Sequence, residues 1–144
     1  MKNDCQIIND SETKSDLLNK QFSNVYTKED LASIPAVRNS PKPTIGSLIV
    51  TVPGVIKQLT SLKPNKASGP DQIPPWFLKE YAHKIGPILT LIYQASIDSG
   101  IVPSRWKYAN VCGVFKGGQK SNPCNYRPIP LTCIASKVLE HIVS

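Results

Sequence analysis

Apolar residues recur along this chain at two different periods, and the change from one to the other divides it. Val52, Val55, Ile56, Leu59 and Leu62 follow the spacing of a helix with one buried face. Thr51 offers a cap, Pro53 a pre-set first turn, and Pro64 a stop. A weaker stripe of Leu17, Leu18, Phe22 and Val25 in "SDLLNKQFSNVYTKED" predicts a short amphipathic helix with Ser15 as its N-cap. Between the two, Ile34 to Pro43 reads as linker. "KPNKASGPDQIPP" is a loop stiffened by its prolines, and Pro75 can open a second helix with Trp76, Phe77, Leu78 and Tyr81 as its apolar contacts. Gly86-Pro87 is expected to break that helix before a third. The third presents Ile85, Ile88, Leu89, Ile92, Ala95 and Ser96 as one face and stops at Gly100.

Beyond "IVPSRW" the period shortens. "KYANVCGVF" and "YRPIPLT" are short, rich in β-branched and aromatic residues, and joined by the turn-forming "KGGQKSNPCN". This predicts an antiparallel hairpin with a long loop. Pro128 and Pro130 lose their N–H groups on the same side of the second strand, leaving Arg127, Ile129 and Leu131 to pair inward; the strand is therefore an edge. A last helix from about Ala135 groups Val138, Leu139 and Ile142. The pattern as a whole is α+β, helices followed by a hairpin.

At 144 residues the chain has room for one modest core. Its net charge of +7 is unevenly spread. The first 35 residues are slightly acidic, whereas beyond them only Asp71, Glu80, Asp98 and Glu140 oppose the Lys and Arg, and none lies between Ile101 and Leu139. A surface of one sign concentrates polyanions, nucleic acid above all, although a basic face that only keeps a protein soluble has the same composition. Cys5, Cys112, Cys124 and Cys133 come without a secretory leader and are read as reduced thiols. No Cys-x-x-Cys occurs and His83 and His141 are far apart, so no zinc site is expected. No apolar run is long enough to cross a bilayer, which points to an intracellular protein of cytoplasm or nucleus.

The search for catalytic groups is negative. Two-metal chemistry needs converging carboxylates, and the four acids after the arm are scattered. No nucleophile elbow or triad spacing is present, and "GVFKGGQKS" misses the phosphate-loop pattern at Gln119. The positive signal is "VFKGGQKSNPCNYRPIPLT". Lys116 ends the first strand and Arg127 begins the second, so the ribbon can bring both cations to one end and clamp a polyphosphate, with Lys120 nearby. The same residues would equally serve as a pinned arginine and solubilising lysines.

Three segments, "LTSLKPNKASGPDQIPPWFLKE", "PILTLIYQASIDSGIVPSRWKYANVCGVFKGG" and "NPCNYRPIPLTCIASKVLEHIV", resemble the N-terminal part of the reverse transcriptase of non-LTR, LINE-type retrotransposons, jockey-like elements especially. The resemblance runs from about Val52 to Val143 and rests on an ordered series of motifs. It implies an incomplete right-hand polymerase: a polar arm and linker over residues 1–45, then fingers without palm over 46–144. In that family the positions of Lys116 and Arg127 lie near the triphosphate of the incoming deoxynucleotide. Lys63, Lys66, Arg105, Lys107 and Lys120 would face nucleic acid. The implied partners are an RNA template, a DNA primer and a deoxynucleotide triphosphate, together with the missing palm and thumb. The family's catalytic aspartates and the Mg2+ they hold belong to the palm, so no cofactor and no catalytic residue are expected here. Gln72, Gly113, Gly117, Gln119 and Pro130 depart from the family pattern. The rival expectation is a non-catalytic nucleic-acid-binding module or an inert remnant of a degenerate element.

Overall fold

The computed structural model describes residues 2–3, 6–25 and 46–144. They fall into two compact units, one within Met1–Pro43 and Val111–Ile129, the other within Thr44–Asn110 and Pro130–Ser144. The elements in order are β1 (Lys2–Asn3), β2 (Gln6–Ile7), α1 (Ser11–Val25), α2 (Val52–Thr60), α3 (Pro75–Glu80), α4 (Ala82–Ser99), β3 (Ala109–Phe115), β4 (Tyr126–Thr132) and α5 (Ile134–Val143). Single 3-10 turns at Ser104–Lys107 and Pro123–Asn125 precede β3 and β4. β1 pairs antiparallel with β2, and β3 with β4. The α+β expectation therefore holds, and no helix among the described residues is long and apolar enough to cross a membrane. The predicted linker from Ile34 to Pro43 lies outside the described residues.

In the first unit α1 starts five residues earlier than the expected Ser15 cap would place it. Asp10, not Ser15, caps it: Asp10 Oδ1 accepts the Thr13 N–H at 2.7 Å, while Ser15 sits within the helix and donates to the Ser11 carbonyl. That N–H holds the Asp10 carboxyl below the usual carboxylate range. The cap's contribution is thus present above that range and fades as pH falls through the lowered value. Phe22 is buried and Leu17 and Leu18 are half-buried, but Val25 is exposed and does not share their packing.

The second unit holds the larger core, where Val55 and Leu59 of α2, Leu78 of α3, Ala82, Leu89 and Tyr93 of α4 and Ile134, Ala135, Val138 and Leu139 of α5 meet. α2 begins as expected, with the Thr51 hydroxyl accepting the Gly54 N–H. Pro75 opens α3 and is buried with Leu78, whereas Trp76, Phe77 and Tyr81 form an exposed aromatic row. The break before α4 falls at Tyr81, and Gly86-Pro87 continues the helix instead of ending it. Pro87 still gives up one helical N–H bond, but part of its steric conflict is with the Cβ of the preceding residue, and Gly86 has none. The same missing Cβ lets α2 approach, since one built on Gly86 would lie 2.6 Å from Ile56 Cγ1.

That close approach also corrects the buried face of α4. Ala82, Gly86, Leu89, Thr90, Tyr93 and Ser96 point inward, whereas Ile88 and Ile92 are exposed and Ala95 lies outside. Small residues win the interface because helix backbones are near, and the polar ones are satisfied: Thr90 donates to the Gly86 carbonyl and Ser96 to that of Ile101. The Gln94 side chain ties residues 46–50 to this helix, its Oε1 accepting the Val50 N–H at 2.8 Å and its Nε2 donating to the Leu48 carbonyl.

In the loop before α3, Gln72 adopts φ 56°, the left-handed region, with its N–H on the Gly69 carbonyl. This is a position where the resembled family carries glycine. A side chain there costs about 1–2 kcal/mol, against roughly 0.4–1 kcal/mol of unfolded-chain entropy that a glycine adds. Gln72→Gly is therefore expected to raise the thermal midpoint slightly; a clear drop would mean that the Gln72 side chain contributes stabilising contacts.

Candidate functional site

Strand pairing sets the geometry of the basic ribbon. The Lys116 N–H donates to the Asn125 carbonyl at 2.9 Å, and the Phe115 and Tyr126 rings lie 5.5 Å apart. Phe115 thus stands opposite Tyr126 and Val114 opposite Arg127. Side chains alternate between faces along a strand, so Val114 and Lys116 share a face with Arg127. Lys116 and Arg127 are diagonal neighbours in this register, with Cα atoms on the order of 7–8 Å apart. Both are exposed. The register also explains the prolines: Pro128 and Pro130 fall at positions whose N–H would point away from β3, where its loss is harmless.

The opposite face of β3 lies toward α1, although Val111 and Gly113 remain exposed. A Cβ on Gly113 would lie 3.0 Å from Leu18 Cδ1 and 3.5 Å from Phe22 Cζ, so glycine at this position gives α1 the room it uses. Lys120 is not in the pair: its ammonium lies 5.9 Å from the centroid of the Phe115 ring, and its carbonyl accepts the Tyr126 hydroxyl at 3.0 Å. The connecting loop is ordered by side chains. Asn122 Oδ1 accepts the Cys124 N–H, Asn125 Nδ2 donates to the Gln119 carbonyl, and Gly117 and Gly118 supply φ of 134° and 86°. The two expected cations are therefore held at the end of a closed turn on a face free of carboxylate neighbours in sequence, an arrangement suited to two oxygens of one anion.

The remaining basic residues divide among separate clefts of the second unit. Lys63 and Lys66, on the turn after α2, line one cleft of about 110 Å³. Arg105 lines another of about 280 Å³, with Asp71, Trp106, Tyr108 and Cys133. Burial pushes the Cys133 thiol up, and its sulfur is 3.9 Å from the Arg105 carbonyl. Lys107 faces a third, largely apolar groove of about 440 Å³ with Leu139 and Val143. Sequence reasoning missed Lys137 and His141, which share the cleft of Lys63 and Lys66; their four-residue spacing on the last helix was the available signal. Among the described residues no three His, Cys, Asp or Glu side chains gather as a metal ion would require.

No protein-family model matches the chain. Over 96 residues, 66% of its length, it is 29% identical to a Drosophila melanogaster protein described as a probable RNA-directed DNA polymerase from transposon BS. The chain bears a distant relationship to a transposon reverse transcriptase. The matched stretch spans 11% of that protein's length, so it corresponds to a small part of the relative.

Proposed function

We propose that the chain is a piece of the fingers of an RNA-directed DNA polymerase from a non-LTR, LINE-type retrotransposon, in which Lys116 and Arg127 hold the triphosphate of the incoming deoxynucleotide. The observation that carries this reading is the exposed face that Arg127 of β4 shares with Lys116, which directly follows β3 and bonds to Asn125. The motif series and the distant relationship to a transposon polymerase support it. Arg127 offers two parallel donors to phosphate oxygens, and Lys116 a compact charge beside them. Because Arg127 starts from β4 and the Lys116 N–H is bonded to the Asn125 carbonyl, little backbone ordering is needed when the anion arrives.

The role is binding and orientation. Attack of a primer hydroxyl on the nucleotide needs a carboxylate-rich centre, which the described residues do not assemble. This chain is proposed not to polymerise alone, and the RNA template, the DNA primer and the metal belong to the complete enzyme.

Titration of the 144-residue chain with a deoxynucleotide triphosphate, followed by calorimetry, tests this directly. Lys116→Ala and Arg127→Ala are each expected to weaken binding about tenfold, roughly 1.4 kcal/mol, and the double variant to remove it. Both positions are exposed, so the melting curve should stay in place. Undiminished binding in the double variant would overturn the clamp.

A further inference from the structure

We propose that Lys63, Lys66, Lys137 and His141 form a seat for one backbone phosphate of an RNA strand; the choice of RNA rests on the polymerase reading above. The four converge from the turn after α2 and from α5 on one cleft of about 110 Å³. That volume is several times the roughly 10–15 Å³ that admits a single water and well below the ~300 Å³ of a pocket for a drug-sized ligand. It suits a group of phosphate size. The other lining residues include Leu62, Pro75, Ile134 and Val138. An apolar floor lowers the local dielectric and strengthens attraction between the cations and an anion. Lys137 is half-buried, as expected of a long side chain whose stem lies along apolar surface.

No carboxylate lines the cleft, and those on the surrounding elements are directed elsewhere. Asp71 lines the pocket of Arg105, Glu140 the groove of Lys107, and Asp98 accepts from Gln94. Glu80 closes α3 and is exposed. A further cation sits beside the turn, since Lys79 Nζ donates to the Leu62 carbonyl at 3.1 Å. His141 also lines the adjoining groove of about 230 Å³ together with Lys57. The positive lining thus continues past the cleft, which fits a strand running through it better than an isolated ion.

The test is anisotropy of a 5′-labelled single-stranded RNA titrated with the whole chain over a range of salt. Lys137→Ala with His141→Ala, and separately Lys63→Ala with Lys66→Ala, should weaken binding at least tenfold. Each should also flatten the plot of log affinity against log salt by about 0.7 for each phosphate that is no longer neutralised. Lys137→Arg, which keeps the charge, should preserve the slope. Triphosphate affinity, read in the same variants, is expected to stay unchanged, so this seat and the Lys116/Arg127 clamp can fail independently. RNA affinity and slope unaltered in both double variants would overturn the seat. Saturation by inorganic phosphate without any RNA binding would overturn its assignment to a strand.

Discussion

Replacing Tyr93 by alanine is expected to destabilise the second unit by about 3–5 kcal/mol, the range for removing a large buried aromatic ring. Tyr93 has no exposed surface, packs edge to face on Trp106 at 5.6 Å, and donates its hydroxyl to the Ala135 carbonyl at 2.8 Å. The substitution therefore removes apolar volume and the bond that ties α4 to α5 together. Against a domain stability of about 5–15 kcal/mol this leaves little margin. Tyr93→Phe keeps the ring and should cost only about 0.5–1.5 kcal/mol. The phenol adds an alkaline signature. Burial pushes its pKa well above the ordinary value of 10.0, so its stabilisation is complete below that pH and is lost as pH rises beyond it. Thermal melts of wild type and Tyr93→Phe should diverge below pH 10 and converge above it. Equal melting temperatures for Tyr93→Ala and wild type would show that this residue does not anchor the core.

Gly69→Ala should be the second most damaging change. A Cβ there would lie 2.6 Å from Cys133 N and from the carbonyl carbon and oxygen of Thr132. These are backbone atoms at the junction of β4 and α5, with no rotamer to swing aside. The chain must move, at about 1–3 kcal/mol and toward the upper end of that range. Gly86→Ala is the control. Its Cβ would meet Ile56 Cγ1 at the same 2.6 Å, but a side chain can shift, and alanine favours the helix by about 1 kcal/mol. Chemical denaturation should rank Gly69→Ala well below Gly86→Ala. The reverse order would mean that the loop at Gly69 yields more easily than the interface between α2 and α4.

Element ends in the basic half could be read directly from the residues. Thr51, Pro75, Gly100 and the prolines of β4 act on backbone groups within a few positions, so their effect does not depend on the rest of the molecule. The hairpin followed for the same reason, and with it the expectation that Lys116 and Arg127 lie at one end of the ribbon; that they share a face depends on the register, which the Lys116–Asn125 bond sets. α1 was harder: its apolar stripe began after its true start, and the cap came from Asp10 through a bond to Thr13.

What escaped the reading depends on partners distant in sequence. Hydrophobicity favoured Ile88 and Ile92 for the inner face of α4, but the contact with Ile56 selects Gly86, and the Ala135 carbonyl selects Tyr93. A helix buries the side whose shape admits its neighbour, and the neighbour cannot be identified from periodicity. The same holds for the second anion cleft. The resemblance turned Lys63 and Lys66 toward nucleic acid, whereas Lys137 and His141 were not singled out; packing of α5 against the loop after α2 brings all four to one opening. Local chemistry therefore settled several element ends and the hairpin turn, though not the start of α1 or the break before α4, while long-range packing chose which faces are hidden and which charges converge.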